Sequence, residues 1–481
     1  MRDGVFFLSR FSLHVSRFTF YGGQKVLIDT HAHLEMREFN DDRDEVIKRA
    51  REAGVGHILT IGTTVESSRD AVLLAEKHDF IYAAIGIHPH ETKDILHPSY
   101  DILRHFAQHP KVVAYGEIGL DYYYEHSQRS IQQRKFRDML REARELKLPV
   151  IVHDRDAHED MLAILTEEWD PALGGVMHCF SGDIEYARKV MGLGFHISIA
   201  GPVTFPKAEA LRETVRQIPI ESMLIETDAP YLAPQQYRGK RNEPAYVRNT
   251  AEVIAKVKGL SFDDVARITS YNAMQLFGIG DIPKKGKIAY PIRNSLYLNV
   301  TNRCTSACTF CVRYFTDVVK GHNLRLKDEP AAGDLVKEIG DPKKYDEVVF
   351  CGYGEPLLRL DVVKEVAAAV KKKGGRVRID TNGHGNLIHK RNILPELAGL
   401  VDAVSVSLNA QDAELYEKIS QPKFGLATYD AVKEFIAEAV KYIPEVTATI
   451  VTVPGVDVEA CRKITDGLGV KLRVREYNVV G

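Results

Sequence analysis

Two groups of residues in this chain have the types and spacing of inorganic chemistry. The first is scattered from His31 to Asp228. His31 and His33 stand two apart in Asp29-Thr-His-Ala-His33, leaving a candidate strand, so both imidazoles project to one side. Glu117, His153, His178 and Asp228 each sit at the end of a later candidate strand. Neutral imidazoles and carboxylates suit zinc, magnesium or manganese. Together they exceed the needs of one four-coordinate ion with an open position, and they suit a pair roughly 3.5–4 Å apart bridged by a carboxylate. Singly, each would be expected as a core histidine or a strand-end cap. The joint pattern carries the expectation of two divalent ions. Such ions lower the pKa of a bound water, and Asp228, a ligand with a free oxygen, is the expected acceptor of its proton.

The second group is compact. Cys304-Thr-Ser-Ala-Cys308-Thr-Phe-Cys311 places three thiols in one loop after a candidate strand. Four cysteines would saturate a [4Fe–4S] cube, whereas three leave one iron open to an outside ligand. An open iron can take the amino and carboxylate groups of S-adenosylmethionine (SAM), whose sulfur–carbon bond is then cleaved by electron transfer. The competing reading is a zinc site completed by His322 or Cys351.

These residues need a scaffold that delivers strand ends to common points. The chain has 481 residues, 44% hydrophobic and 27% charged, so two or more globular domains are expected. A net charge of −2 does not argue for a strong non-specific nucleic-acid binder, so nucleic-acid contact would rest on a local basic patch. Six cysteines, half of them in the one loop, do not describe a disulfide-stapled secreted domain. They point to a reducing, cytoplasmic setting. No apolar run reaches the roughly 18 residues that a membrane span needs. The segment 1–25 lacks the clean apolar core of a signal peptide and is expected as a flexible extension.

From residue 26, short apolar runs alternate with helical patterns. Candidate strands Val26–Asp29, His57–Ile61, Ile81–Ile85, Val112–Gly116, Val150–His153, Gly175–His178, Phe195–Ile199 and Met223–Glu226 predict an α/β fold, a (β/α)8 TIM-type barrel over 26–280. The Pro-, Gly- and Lys-bearing stretch 281–294 reads as a linker. Residues 295–481 then offer strands near Leu296–Val300, Glu347–Phe350, Arg376–Asp380, Ala403–Ser407, Val446–Val451 and Lys471–Val474, which fit a partial (β/α)6 barrel.

Five motifs carry a resemblance: Asp29-Thr-His-Ala-His33, Gly86-Ile-His-Pro-His90, Gly116-Glu-Ile-Gly-Leu-Asp121, His178-Cys-Phe-Ser-Gly182 and Glu226-Thr-Asp-Ala-Pro230. The stretch they span resembles the TatD family of the amidohydrolase superfamily. The resemblance implies that His31, His33, Glu117 and Asp228 hold one ion and that Glu117, His153 and His178 hold the other, with Glu117 as bridge. It implies a metal-dependent deoxyribonuclease of the 3′–5′ exonuclease kind. The alternative is an amidohydrolase acting on a small amide, an ester or an aminoacyl-tRNA. Arg238, Lys240 and Arg241 in the loop after Asp228 are expected on substrate phosphates, Arg155 on substrate orientation, and Tyr122 or its neighbours Tyr123 and Tyr124 on a base. His88 and His90 are expected near the site as substrate or supporting contacts, not as ligands.

The C-x3-C-x2-C spacing and Gly352-Tyr-Gly354-Glu355-Pro356 resemble the radical SAM superfamily, whose Gly-Gly-Glu-Pro motif meets the SAM amino group. Tyr353 is a departure from the simplest form of that motif. Asn382, Ser407 and Asn409, at later strand ends, are expected on the ribose and carboxylate of SAM. Fused to the first half, this architecture implies a bifunctional protein with an electron donor such as flavodoxin or ferredoxin as partner. Cys179, Cys351 and Cys461 are expected to be structural.

Overall fold

The computed structural model describes residues 27–95 and 97–477, so the expected extension 1–25 lies outside the described residues. Eight strands form the first sheet in sequential parallel order: β1 (Leu27–Ala32), β2 (Val55–Ile61), β3 (Ile81–Ile85), β4 (Val112–Asp121), β5 (Val150–Arg155), β6 (Gly175–Met177), β7 (Phe195–Ile199) and β8 (Met223–Ile225). The sheet closes on itself through residues of the candidate site. Asp228 N–H donates to His31 O at 2.8 Å, and His33 N–H donates to Ala229 O at 2.7 Å. The seam of the barrel is therefore also the place where its chemistry gathers.

The strands are buried on both faces, as parallel strands under helices must be. Ile28, Leu59, Ile61, Ala84, Ala114, Ile151 and Leu224 share a buried cluster with Ala273 and Phe277 of the helix Phe262–Phe277. The larger cluster lies between strands and outer helices. The helix Arg129–Leu146 shows the cause: Phe136, Met139, Leu140 and Ala143, one apolar stripe at helical spacing, are buried. Its end is set by Lys147, in the left-handed conformation.

The second sheet has seven strands: β9 (Ala289–Ile292), β10 (Ser295–Leu298), and, beyond the hairpin β11 (Val318–Val319)–β12 (His322–Asn323), β13 (Glu347–Phe350), β14 (Val377–Thr381), β15 (Ala403–Ser407), β16 (Glu445–Val451) and β17 (Lys471–Arg475). From β10 to β17 the sheet strands are parallel, the six expected. The linker expectation for 281–294 needs correcting: Ala289–Ile292 pairs antiparallel with β10 as an edge strand. An edge position tolerates Pro291, which cannot donate to a ladder and masks the strand in the sequence.

Alternation divides this sheet. Leu296, Leu298, Val348, Phe350, Ile379, Val406 and Ile450 face the helices as the second core. The opposite face is polar: Asp380, Ser405 and Thr447 pair across β14–β16, as do Ser407 and Thr449 across β15–β16. The halves touch where Arg293 N–H donates to Asp264 at 2.7 Å and Arg267 donates to Lys320 O at 2.8 Å. Among the described residues no helix is long and apolar enough to cross a membrane.

Candidate metal and cysteine sites

At the mouth of the first barrel, Glu117 divides its two oxygens. Oε2 lies 3.3 Å from His31 Nε2 and 3.7 Å from His33 Nε2. Oε1 lies 2.8 Å from both His153 Nδ1 and His178 Nε2. Asp228 Oδ1 joins the first set, 3.7 Å from His31 Nε2 and 3.5 Å from His33 Nε2. The two imidazole nitrogens themselves are 3.3 Å apart. Ligands about 2.1 Å from a shared tetrahedral ion stand about 3.4 Å apart, so these spacings are those of a coordination shell. His31, His33 and Glu117, and likewise His31, His178 and Asp228, form groups able to hold an ion.

The tautomers agree. His33 Nδ1–H donates to Ile61 O at 2.8 Å, leaving the Nε2 lone pair toward the cluster. His178 Nδ1 faces Glu226 Oε1 at 3.4 Å, and His153 Nε2 faces Asp121 Oδ2 at 3.0 Å. A carboxylate behind the far nitrogen fixes the ring and raises its basicity. Burial alone would push the Glu117 and Asp228 carboxyls up, but the surrounding imidazoles overcome it and hold both below the usual range. Both are therefore anionic and aimed at a point where positive charge belongs.

His88 also enters a group with Glu117 and His153, its Nε2 3.5 Å from Glu117 Oε1. Its Nδ1 accepts the His90 N–H at 3.2 Å, which puts the proton of the neutral ring on Nε2. Burial keeps His88 neutral, well below the ordinary histidine pKa. In this tautomer it faces Glu117 as a donor, while its position also groups it with Glu117 and His153 as atoms able to hold an ion.

Asp121 and Glu226 were not singled out from the sequence for a role. The signal was present, since both lie inside the quoted motifs at strand ends. Their task became visible only as contacts behind His153 and His178. Around the mouth, Asp228 adopts the left-handed backbone (φ 57°), and the segment before it is tied down by Asp29, which accepts from Thr227 N–H at 2.9 Å and Thr227 Oγ1 at 2.6 Å.

The expected substrate residues separate into two kinds. Arg238 and Lys240 are exposed, Arg238 stacking on Phe205 at 4.8 Å. Arg155 is exposed and lies over Tyr123 and Tyr124. Two expectations need correcting. Arg241 pairs with Asp42 at 2.7 Å and donates to Glu38 O at 2.6 Å, so it braces the loop rather than facing a substrate. Tyr122 donates its hydroxyl to Asp160 at 2.7 Å, and its ring lies beneath Arg129, so it is packed and not offered to a base.

In the second half, the cysteine loop is clamped to residues 419–423. Thr309 N–H donates to Ile419 O at 2.9 Å, and Lys423 N–H donates to Thr305 O at 2.8 Å. Burial pushes the thiols of Cys304 and Cys308 up, Cys308 to about 12. The three sulfurs are not among the groups whose ligand atoms all lie within 4.8 Å of one another in the described residues. Thiolates on one zinc would be about 3.8 Å apart. His322, the proposed completing ligand, is elsewhere: Nε2 lies 3.0 Å from Pro291 O and Nδ1 3.1 Å from Lys287 Nζ. Burial pushes the Cys351 thiol up, and the neighbouring Asp380 carboxylate further disfavours its thiolate. Neither His322 nor Cys351 forms a ligand group with the three cysteines among the described residues.

Gly352 and Gly354 are required by close approach: a Cβ would meet Asn299 Oδ1 at 2.3 Å and Arg303 O at 2.2 Å. Glu355 caps the turn that begins at Pro356, accepting from Leu357 N–H at 3.0 Å, Asn382 N–H at 2.8 Å and Thr381 Oγ1 at 2.8 Å. Its carboxylate is thus engaged by protein donors, and burial raises it to about 7. Tyr353 donates to Thr316 O and Asp317 Oδ1, latching the chain that follows Cys311. Asn382 Nδ2 lies 3.7 Å from Cys304 Sγ and donates to Thr305 Oγ1 at 2.9 Å. Asn409 donates to Ser420 Oγ at 3.2 Å behind the cysteine loop, and Ser407 ends β15 half-buried.

Residues 28–278 match the family described as TatD related DNase, and residues 298–466 match the Radical SAM superfamily. The metal-dependent hydrolase YabD of Bacillus subtilis, itself uncharacterized, is 45% identical over 254 residues, covering 53% of this chain and 100% of that one. The 3′-5′ ssDNA/RNA exonuclease TatD of Salmonella typhimurium is 37% identical over 258 residues, covering 53% of this chain and 99% of that one. Among solved structures, the TatD homolog YjjV of Escherichia coli K12 aligns with a TM-score of 0.51 and 32% identity, over 53% of this chain and 99% of that one.

Proposed function

The chain belongs to the TatD related DNase family through its first barrel and carries a radical SAM domain in its second half, and from that premise we propose a two-site enzyme. Residues 26–280 hydrolyse phosphodiester bonds of nucleic acid from a 3′ end with two divalent ions, zinc, magnesium or manganese. Residues 295–481 cleave SAM reductively at a [4Fe–4S] cluster. The single observation that carries the first reading is the division of Glu117 between two imidazole sets.

His31, His33 and Asp228 with Glu117 Oε2 would hold one ion, and His153 and His178 with Oε1 the other. Such ions, when bound, supply positive charge that acidifies water and offsets charge growing on phosphoryl oxygens. Asp228 faces the imidazoles with Oδ1, which leaves Oδ2 to accept the proton of the attacking water. Glu117, held anionic, turns one oxygen to each set. His88, with its proton on Nε2, donates toward the same carboxylate. Arg238 and Lys240 attract the phosphate backbone as exposed cations.

Cys304, Cys308 and Cys311 would hold the cluster, which supplies one electron to SAM when reduced by a carrier such as flavodoxin or ferredoxin. Gly352 and Gly354 let backbone approach closely, Pro356 starts the turn that Glu355 caps, and Asn382 reaches Cys304. Asn409 supports the cysteine loop from behind, and Ser407 is assigned to SAM itself.

Two assays test the reading. Full-length protein with magnesium or manganese should shorten 5′-labelled single-stranded DNA from its 3′ end, and Glu117→Gln should abolish this. Anaerobically reconstituted protein should release 5′-deoxyadenosine on reduction, and Cys308→Ala should not. Hydrolysis of small amides with intact DNA would overturn the first half. A loaded cluster that leaves SAM whole would overturn the second.

A further inference from the structure

Beside the candidate metal ligands, the loop after β4 presents two exposed rings. Tyr123 and Tyr124 are 59% and 51% exposed. Their rings meet edge to face, with centroids 4.8 Å apart. Arg155, at the end of β5, lays its guanidinium over both, 4.1 Å from the Tyr123 centroid and 4.8 Å from the Tyr124 centroid. It forms no ion pair among the described residues. The Tyr124 ring lies parallel to His126 at 5.6 Å, and His90 sets its edge against both, at 5.6 and 4.6 Å.

One carboxylate ties this platform to the metal cluster. Asp121 Oδ1 accepts the N–H groups of Tyr123 at 3.0 Å and Tyr124 at 2.9 Å. Its Oδ2 faces His153 Nε2 at 3.0 Å. The group that orients a candidate metal ligand therefore also fixes the rings. A row of rings runs between them: His153 to His88 at 4.5 Å, His88 to His90 at 4.3 Å, and His90 to Tyr124. Tyr122 shows the contrast, since the same loop packs that ring away.

We infer that Tyr123, Tyr124 and Arg155 form a stacking subsite for the unpaired base of a strand end being cut. This rests on the reading of the first barrel as a nucleic-acid hydrolase. The chemistry is that of a π-face over exposed rings, with a cation in reach of the adjoining phosphate. A terminal base in a duplex is held by its pairing partner and its inner neighbour and must unpair to turn onto the platform, so the platform selects unpaired ends. Every base has a π-face, so the subsite is tolerant of sequence.

The test uses a fluorescein-labelled oligothymidylate with a normal or an abasic 3′ residue. Loss of stacking on one base weakens binding about 5- to 150-fold. Tyr123→Ala/Tyr124→Ala should raise KM, and lower affinity measured by anisotropy in EDTA, by a factor in that range on the normal strand. The abasic end should cost wild type a similar factor and the double alanine variant nothing. Tyr123→Phe/Tyr124→Phe, which keeps the rings, should restore wild-type values and shows that the loop still folds. Equal handling of normal and abasic ends by active wild type overturns the subsite and leaves the nuclease reading standing. Wild type that cuts neither strand with magnesium, manganese or zinc overturns the nuclease reading itself, and the subsite with it.

Discussion

Asp121→Asn separates the two ion positions from one another. The side chain keeps its size and an oxygen for the Tyr123 and Tyr124 N–H groups, but it loses the charge that faces His153 Nε2 at 3.0 Å. His153 belongs with Glu117 Oε1 and His178, whereas His31, His33 and Asp228 do not touch Asp121. Removing a supporting carboxylate from a ligating histidine costs about 10- to 100-fold in metal affinity or activity, which is about 1.4–2.7 kcal/mol. Calorimetric titration of metal-stripped protein with manganese should therefore show two binding events in wild type. In the variant, one event weakens by that factor and the other stays in place. The hydrolytic rate falls with occupancy of the weakened position. The reasoning is refuted if both events keep their affinity, or if both weaken alike, because among the described residues His153 is the only candidate ligand that Asp121 supports.

Three further outcomes follow from particular contacts. Arg238→Ala and Lys240→Ala should each reduce the salt dependence of DNA binding by a slope of about 1, whereas Arg241→Ala should leave it unchanged and cost under about 1 kcal/mol in a urea melt, since its partner Asp42 is a surface carboxylate. Asn382→Leu removes a donor 3.7 Å from Cys304 Sγ and should move the cluster to a more negative potential in an EPR-monitored titration; an unchanged potential would count against the contact. His384 is buried between Thr305 Oγ1 at 2.8 Å and Tyr416 OH at 2.9 Å, and burial lowers it to about 4. Its unfolded form binds more protons between about pH 6.5 and 4, so its stabilising contribution is complete above that window and lost as pH falls through it, by up to about 3 kcal/mol. His384→Gln should flatten this part of the pH–stability curve, and parallel curves would contradict the assignment.

The barrels were legible because parallel strands under helices are short unbroken apolar runs, and runs such as Ile81–Ile85 and Phe195–Ile199 match their strands residue for residue. The candidate ligands were legible because each closes such a run. What escaped the sequence depended on partners far along the chain. Arg241 meets Asp42, 199 residues away, and nothing in Arg-Gly-Lys-Arg distinguishes a brace from a phosphate contact. Three successive tyrosines look alike in sequence, yet the turn after Asp121 leaves the first half-buried and exposes the others. The edge strand β9 was hidden by its proline, and the supporting roles of Asp121 and Glu226 exist only once β4, β5, β6 and β8 stand side by side.

Anomalous diffraction from crystals of the full chain soaked in manganese measures the central claim directly. Two peaks about 3.5–4 Å apart should flank Glu117, one within ligand reach of His31 and His33 and the other of His153 and His178. A single peak, or peaks that leave either imidazole set empty, would contradict it.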